Sequence, residues 1–328
     1  MHSEPGPVRL FSFDEHFLGP ELSSNYGVED FRTWDALDVL EHIYYLRLLQ
    51  SLAAQRHPEW SKKLLDVADV KYVLAHRQDP SPVPGLSERP AKELKLLANP
   101  DALPRAVFYS DIESVPFNEF QDWRSAMQRG LPLLGGLLAR GLDVRRTLVL
   151  TDIQGISIGP HERKPAIPAQ LQDYRIDYAR VKVEAPSSGF LFMSDTYFPG
   201  WEAMVDGKPA SILRAWLNFR AVPLGAGKHS VEFVYTPWSL IGGALATILG
   251  LAVLLWFWAR ETCSRPPSEC ELLVMANVGF GLLYWGIWCA IGYRGDRWPM
   301  RLAGLALLAF LGLIARAALA WRRAEAQR

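Results

Sequence analysis

The feature that most constrains this chain is a run of 21 residues, Trp238 to Trp258, that contains no charged side chain. At about 1.5 Å of rise per residue, a helix of this length spans about 30 Å, the thickness of the hydrocarbon core of a bilayer. The tryptophans near both ends suit the interfaces between hydrocarbon and headgroups. The run therefore predicts a transmembrane helix over residues 238–258. A helix buried in a protein core is the alternative, and the length of the run disfavours it.

Two further apolar stretches follow the first. Residues 272–293 contain no Asp, Glu, Lys or Arg, and residues 302–321 are interrupted by Arg316, whose long side chain can reach the headgroups. Five arginines lie in the loop after the first predicted helix and in the C-terminal tail, against three in the loop after the second. Because positive charge is enriched on the cytoplasmic side of membrane helices, this bias places residues 1–237 on the outer face.

The N-terminus leaves the route of export open. Residues 1–22 contain no apolar segment and no small-residue cleavage site, so they do not form a signal peptide. Two explanations remain for a large body ahead of the first membrane helix. Either the body is cytoplasmic and held by a tail anchor, or the chain is the C-terminal part of a longer protein whose earlier helices deliver the body outside.

The charge balance and the cysteine positions exclude several classes of function. Lys plus Arg and Asp plus Glu both number 35, so the chain lacks the positive charge of a nucleic-acid-binding protein. The three cysteines all follow residue 262, so the part before the membrane helices has no disulfide framework and no cysteine metal site. The sequence contains no Gly-rich phosphate loop, no Gly-x-Ser-x-Gly and no His-Glu-x-x-His motif. We therefore expect no cofactor and no metal.

The stretch before the first predicted membrane helix shows the clearest strand pattern. Apolar and charged residues alternate over residues 174–178 and again over 180–184, whereas residues 189–193 are continuously apolar, as in a strand buried on both faces. Asp206-Gly207-Lys208 between two strand patterns predicts a hairpin, and the glycines around residue 226 join the last pair of strands. Six or seven short antiparallel strands predict a small β-sandwich.

Residues 1–151 are predicted to form a mixed α/β module. Apolar residues recur at helical spacing over residues 35–55, and a strand pattern covers residues 105–109. Residues 152–171, which are rich in Gly and Pro, predict a linker to the β-sandwich module of residues 172–237. The predicted fold class is therefore an α+β extracytoplasmic body, with a mixed α/β module and an antiparallel β-sandwich, followed by transmembrane α-helices.

Three carboxylates of the β-sandwich module, Asp195, Glu202 and Asp206, are candidates for the acid and base of glycoside chemistry. Asp206 already has a role in the hairpin turn, and Asp195 ends a strand, where aspartate commonly begins a turn. We therefore expect no catalytic residue among them. Four residues are assigned to structural turns: Gly200, Asp206, Gly207 and Gly227.

Aromatic residues of the same module form a candidate platform for sugars. Tyr197, Phe198, Trp201 and Trp216 can offer aromatic faces, which pack on the apolar faces of sugar rings. Packing in the core, or anchoring at the membrane surface, explains the same residues. The residues proposed for binding are Asp195, Tyr197, Trp201 and Trp216.

Three strings in this module resemble the YfhO family of bacterial membrane proteins: SDTYFPGW at residues 194–201, VDGK at 205–208 and AGKHSVEF at 226–233. The resemblance covers most of residues 9–260. Its upstream part is carried by three further segments: residues 26–32, 64–74 and 99–106.

The resemblance implies part of a polytopic glycosyltransferase that takes sugar from a polyprenyl-phosphate lipid on the outer face of the bacterial inner membrane. In such enzymes the catalytic acid is expected in an early extracytoplasmic loop, and no residue of this chain matches it. The resemblance therefore implies a supporting part of a multi-pass protein, and whether the chain itself is an enzyme stays open. The implied partners are the lipid bilayer, other transmembrane helices of a split or longer protein, and a lipid-linked sugar or envelope glycan. A self-standing, membrane-anchored carbohydrate-binding or assembly module is the alternative.

Overall fold

The structure is a computed structural model, which describes residues 8–14, 28–32, 40–54, 57–91, 93–115, 134–151 and 164–236, together with Thr247 and Gly250. The chain divides into two compact units, Met1–Trp238 and Ser239–Arg328. Within the described stretches no helix is long and apolar enough to cross a membrane. The predicted membrane helices over residues 238–258, 272–293 and 302–321 lie outside the described residues, apart from Thr247 and Gly250. The described residues from 8 to 236 are called the body below.

The first part of the body contains short strands, two longer helices and a short helical stretch over residues 134–139. In chain order the elements are β1 (Val8–Ser12), β2 (Val28–Asp30), α1 (Leu40–Ala54), α2 (Pro58–Val67), β3 (Tyr72–His76), β4 (Ser87–Arg89), β5 (Leu94–Ala98), β6 (Ala106–Tyr109), β7 (Asp111–Val115) and β8 (Thr147–Thr151).

The second part of the body consists of strands. In chain order they are β9 (Ile167–Pro168), β10 (Gln170–Arg175), β11 (Tyr178–Ala185), β12 (Gly189–Thr196), β13 (Trp201–Val205), β14 (Lys208–Ala210), β15 (Leu213–Ala215), β16 (Phe219–Leu224) and β17 (Gly227–Tyr235).

These strands form three sheets. The N-terminal sheet has the order β2-β1-β3-β5-β4, the outer sheet β10-β11-β17-β13-β14, and the central sheet β7-β8-β15-β16-β12-β6-β9. The outer sheet is antiparallel throughout, and the central sheet is antiparallel except for the β7–β8 pair. The predicted α+β character with an antiparallel sandwich is confirmed for the body.

The central sheet is buried on both faces. Phe190 and Phe192 of β12 pack into a core cluster with α1 and α2, whereas Leu191 and Met193 pack into a second cluster with the outer sheet. Successive side chains of a strand point to opposite faces, so a strand between two apolar layers needs a continuously apolar sequence. This explains the apolar run over residues 189–193.

The central sheet also joins the two modules that the sequence predicts as separate. Its strands β6, β7 and β8 come from residues 106–151, and β12, β15 and β16 come from residues 189–224. The predicted linker over residues 152–171 contains the edge strand β9 and the start of β10. Pro168 is compatible with β9 because an edge strand tolerates a residue that has no N–H group. The described end of this stretch is therefore part of the sheets.

The predicted strand over residues 174–178 is interrupted by a turn. β10 and β11 form a hairpin in which Arg175 pairs with Tyr178, and Ile176 and Asp177 form the turn between them. Polar and apolar residues alternate in both arms of the hairpin and continue to alternate across the turn. The sequence pattern therefore does not distinguish the turn from a continuous strand. Ile176 is consequently 99% exposed.

The last two strands are not paired with each other. β16 pairs with β12 and β15 in the central sheet, whereas β17 pairs with β11 and β13 in the outer sheet. The glycines at 225 and 227 therefore carry the chain from one layer of the sandwich to the other instead of closing a hairpin.

Candidate functional site

Asp195, near the end of β12, lies among buried charged side chains. Its Oδ2 accepts a hydrogen bond from Nη2 of Arg220 at 2.9 Å, and its Oδ1 accepts from Nη2 of Arg9 at 3.3 Å and from the hydroxyl of Tyr174 at 3.1 Å. Nη1 of Arg105 lies 3.7 Å from the same Oδ1. Three guanidinium groups thus surround a carboxylate that is only 8% exposed.

Two further carboxylates complete this arrangement. Glu29 bridges two arginines, since its Oε1 accepts from Nη2 of Arg9 at 2.6 Å and its Oε2 accepts from Nη1 of Arg105 at 2.7 Å. Oδ2 of Asp69 accepts from Nε of Arg105 at 3.1 Å. The ion network, with three positive and three negative side chains, consists of Arg9, Glu29, Asp69, Arg105, Asp195 and Arg220.

The ion network connects all three sheets. Arg9 and Glu29 belong to the N-terminal sheet, Asp195 and Arg220 to the central sheet, and Tyr174, which donates to Asp195, to the outer sheet. Burying a charge is unfavourable unless the charge is paired and hydrogen-bonded. The network therefore favours the one arrangement of the sheets in which its charges are paired.

Opposing effects set the pKa of Asp195. Burial raises this pKa. The pKa is lowered by a larger amount by the charges of Arg220, Arg105 and Arg9 and by the hydrogen bond from Tyr174, so it lies below the usual value of an aspartate. The carboxylate is therefore ionised and directed at arginines rather than at solvent. A general acid needs a proton to donate, and a general base must reach its substrate, so this environment does not suit Asp195 for either role.

The other two candidate carboxylates lie elsewhere. Oδ1 of Asp206 accepts from the N–H of Ser230 at 2.8 Å, and its Oδ2 lies 2.7 Å from Nδ1 of His229, on the exposed side of the outer sheet. Glu202 is an exposed residue of β13, opposite Val234 of β17. The structure does not bring these carboxylates together with Asp195, so the described residues do not form the acid and base pair of glycoside chemistry.

The residues assigned to turns have left-handed backbone conformations. Asp206 and Gly207, between β13 and β14, have φ of 53° and 78°, as in the two-residue hairpin turns that match the twist of the strands. Gly200 has φ of 103°, and a Cβ added to it would lie 2.9 Å from the ring of Tyr235. Gly227, at the start of β17, has φ of 132°.

The aromatic candidates do not form one platform. Trp216 is fully buried in the core cluster beside α1 and α2. The ring of Trp201 is covered by Arg220, whose Cζ lies 3.9 Å from the ring centroid. Tyr197 contacts the guanidinium of Arg214, with Cζ 4.8 Å from the ring centroid. Trp216 is therefore a core residue in the described structure, and Trp201 faces the ion network.

The turn that carries Trp216 is strained. Trp216 and Leu217 have φ of 49° and 68°, a region that residues other than glycine rarely adopt. Among the described residues, Nε1 of Trp216 and Oδ1 of Asn218 are buried without a hydrogen-bond partner. Such strain persists only where the surrounding structure imposes it, here by the full burial of all three residues.

His42 of α1 is held in its neutral form next to this turn. Nδ2 of Asn218 donates to its Nδ1 at 3.1 Å, and its Nε2 donates to the carbonyl of Phe31 at 3.0 Å. Burial, followed by the charge of Arg9, lowers the pKa of His42 to about 4. The sequence gives no sign of this buried histidine beyond its place on the apolar helix.

A polar groove of about 360 Å³ opens on the surface beside α2. Lys62 Nζ lies 2.6 Å from Oδ1 of Asp66 and 3.2 Å from Oδ2 of Asp101, and Nη2 of Arg145 donates to the carbonyl of Asp101 at 2.7 Å. Burial raises the pKa of Asp66, although Lys62 opposes this. The charged residues that line the groove include Lys62, Lys63, Asp66, Asp101, Asp143 and Arg145.

The chemistry of the groove is that of hydrogen bonding. Asp101 and Arg145 are each about half exposed, so their remaining donors and acceptors face solvent. In the described part of the chain no group of three or more His, Cys, Asp or Glu side chains is arranged to hold a metal ion. The groove therefore suits a polar ligand that offers both donors and acceptors.

Sequence reasoning missed the groove and the N-terminal half of the ion network. The available signal was in the upstream segments that resemble the YfhO family, because these contain Glu29, Asp66, Asp69, Asp101 and Arg105. In the structure Arg105 joins these segments, because it pairs with Glu29 and Asp69 and also lies 3.7 Å from Asp195 of the downstream string SDTYFPGW.

Comparison with family models connects the chain to a membrane family. The model described as "Bacterial membrane protein YfhO" matches residues 165–247, which contain β9 to β17 and the candidates Asp195, Trp201 and Trp216. The resemblance predicted from the sequence is confirmed over this part of the chain, and the match supports a location in a bacterial membrane. No curated protein and no solved structure matches the chain.

Proposed function

We propose that this chain supports sugar transfer at the cell envelope. Its residues 165–247 match the model of the YfhO family of bacterial membrane proteins. In this proposal the sugar comes from a polyprenyl-phosphate lipid, and the body holds or presents the acceptor on the outer face of the inner membrane. The apolar runs over residues 238–258, 272–293 and 302–321 anchor the body. The bond-forming chemistry takes place on other residues.

The contrast between the ion network and the groove carries this proposal. Each carboxylate of the network is paired with at least one arginine, and Asp69 and Asp195 are also buried, so the arginines occupy the oxygens that a substrate would need. The groove is open to solvent and presents Asp101 and Arg145, whereas Lys62 lies buried at its base. Charged donors and acceptors of this kind bind the hydroxyl groups of sugars. This contrast supports a role in binding a polar ligand.

A self-standing carbohydrate-binding or assembly module is the second candidate. The same groove supports it, because binding by the groove does not depend on a sugar-transfer reaction. The two candidates differ in one outcome: only the first connects the chain to sugar transfer in the cell.

The test uses the full chain in lipid nanodiscs, with envelope glycan fragments as ligands and a polyprenyl-phosphate-linked radiolabelled sugar as donor. We expect the glycan fragments to bind, and Arg145→Gln to weaken binding about tenfold, as expected for one hydrogen bond to a charged group. Asp173→Asn, which removes an exposed partner of Arg175 in the outer sheet, is the matched control and should leave binding unchanged. The purified chain alone should transfer no labelled sugar.

Three outcomes would contradict the proposal. Transfer of sugar by the purified chain would show that it carries the chemistry itself. Absence of glycan binding would contradict the holding role, and equal binding by the Arg145 and Asp173 variants would exclude the groove. If cells that lack the chain keep normal envelope sugar transfer while glycan binding is retained, the second candidate replaces the first.

A further inference from the structure

Two apolar side chains project from loops at one end of the outer sheet. Ile176, at the tip of the β10–β11 hairpin, is 99% exposed, and Phe198, between β12 and β13, is 36% exposed. An isolated exposed apolar residue needs no explanation, but a group of them marks a surface that another apolar phase covers.

Both loops are attached to the end of β17. The N–H of Tyr235 donates to the carbonyl of Asp177 at 2.9 Å, and the N–H of Thr236 donates to the carbonyl of Gly200 at 2.7 Å. The ring centroids of Tyr235 and Phe198 are 6.1 Å apart. The last residue of β17 is therefore held between the hairpin tip and the turn that carries Phe198.

The side chains around these loops have the composition of a membrane interface. Trp201 lies beside Tyr235, with ring centroids 5.4 Å apart, and the guanidinium of Arg175 lies 5.3 Å from the ring centroid of Tyr178. Tyrosine and tryptophan are enriched where hydrocarbon meets headgroups, because their rings are apolar and their tips are polar. The insertion patch is defined as Arg175, Ile176, Tyr178, Phe198 and Tyr235.

The charges next to the insertion patch are balanced. Nη2 of Arg175 lies 2.6 Å from Oδ2 of Asp173, and Nη2 of Arg180 lies 3.2 Å from Oε1 of Glu232. Attraction to anionic lipids is therefore not the main contribution, and burial of the apolar and aromatic groups is.

The sequence that follows β17 indicates that a lipid bilayer covers the insertion patch. Only Thr236 and Pro237 separate Tyr235 from Trp238, where the charge-free run of 21 residues begins. At about 3.6 Å per extended residue, the start of this run lies within about 11 Å of Tyr235. The interfacial region on each side of a bilayer is about 5–8 Å deep. In the proposed function this run spans the membrane, so a connection of this length keeps this end of the body close to the headgroups.

We propose that the insertion patch lies in the headgroup region of the bilayer, with Ile176 directed toward the acyl chains. This inference rests on the membrane anchor over residues 238–258 in the proposed function. A single short connection would leave the body free to tilt. Insertion of two loops, one on each side of β17, adds two further points of contact and fixes the orientation of the body above the membrane.

The test places single cysteines in the full chain after Cys263, Cys270 and Cys289 have been replaced by serine. An environment-sensitive fluorophore is attached at Ile176→Cys, or at Ser188→Cys in the exposed connection at the other end of β11, and the protein is reconstituted in neutral vesicles. The vesicles contain lipids with a nitroxide near the headgroup or deep in the acyl chain. We expect blue-shifted emission and quenching by the shallow nitroxide at residue 176, and neither effect at residue 188.

A third fluorophore, at Leu249→Cys within the predicted membrane run, separates the possible failures. Quenching at residue 249 by the deep nitroxide, with residues 176 and 188 alike unquenched, would overturn the insertion patch and leave the anchor standing. No quenching at residue 249 would overturn the anchor itself.

A second variant confirms that the side chain of Ile176 is responsible. Ile176→Asp should reduce shallow quenching of a fluorophore at Phe198→Cys, whereas Ile167→Asp, at a partly exposed isoleucine of the edge strand β9, should not. Equal quenching in the two variants would contradict a contribution from Ile176.

Discussion

At the scale of single residues, the interior of the body depends on arginines that each serve several partners. Arg9 pairs with Glu29 and Asp195, and its Nη1 also donates to the carbonyls of Ala68 and Ser194 at 2.7 Å each. One side chain thereby connects β1 to the end of α2 and to β12. Replacing a single member of such a set leaves the others buried without their full complement of opposite charge.

Asp195→Asn should lower the free energy of unfolding of the full chain by about 3–5 kcal/mol, because three guanidinium groups lose their shared anion. Asp173→Asn, which removes an exposed partner of Arg175, should leave the free energy of unfolding nearly unchanged, because solvent screens this pair. Urea unfolding of the purified chain, followed by tryptophan fluorescence at neutral pH, measures both. Equal effects of the two substitutions would contradict a stabilising role for Asp195.

His42 should make the body less stable in mild acid. Its pKa of about 4 in the folded protein lies below the value of about 6.5 in an unfolded chain. The unfolded state therefore binds more protons between these values, and stability falls as the pH drops from about 6.5 to 4, by about 3 kcal/mol at pH 4. His42→Gln should be less stable at pH 7 but should lose less stability on acidification. Urea unfolding at a series of pH values measures the stability of each variant. His57→Gln, at a histidine that is 44% exposed, is the control and should lose as much stability on acidification as the unmodified chain.

At the scale of elements, local pattern predicted which residues form strands but not which sheet they join. β11 alternates exposed and buried residues as its sequence alternates charged and apolar ones, and Asp206-Gly207 forms the predicted hairpin turn. The assignment of β16 and β17 to different sheets is decided by partners far away in the chain, so a glycine-rich turn between two strands cannot distinguish a hairpin from a crossing. Pro168 is a similar case, because its lack of an N–H suits either a linker or an edge strand.

At Gly189 the backbone of β12 lies close to β6, its neighbour in the central sheet. A Cβ added there would clash with the carbonyl oxygen of Tyr109 and lie 2.5 Å from Cζ of Phe108, so Gly189→Ala should force β12 and β6 apart. We expect a loss of about 1–3 kcal/mol in the free energy of unfolding, as for an overpacked core. Gly225→Ala, with no atom within 4 Å of the added Cβ, should be close to neutral. Thermal unfolding of both variants measures the difference, and an unchanged Tm for Gly189→Ala would contradict this contact.

At the scale of the whole molecule, the candidate site could be predicted only in part. Asp195 is a candidate in the sequence because it is one of three carboxylates of the β-sandwich module, but its partners are as distant as Arg9, 186 positions away. No periodicity or spacing connects such residues, and only the long-range pairing of strands brings them together. The sequence leaves Trp216 open between a sugar platform and the core for the same reason, since its burial follows from the packing of α1 and α2 on the central sheet.

The side of the membrane on which the body lies is a testable prediction at this scale. A single cysteine at Ser188 should react in intact cells with a thiol reagent that does not cross the membrane. A chain that retains only its native Cys270, in the loop predicted to be cytoplasmic, should react only after the cells are permeabilised. The opposite pattern, with residue 188 protected until permeabilisation, would support the cytoplasmic body with a tail anchor.

The seven-stranded sheet has a consequence for biogenesis. Strand β6 of this sheet pairs with β12, which lies more than 80 positions further along the chain, and Arg9 donates a hydrogen bond to the carbonyl of Ser194. The ribosome must therefore have made nearly the whole body before the sheet can form. Until then the backbone N–H and C=O groups of the early strands lack their partners in the sheet. If the body lies on the outer face as proposed, the chain crosses the translocation pore while still extended and acquires its final form outside.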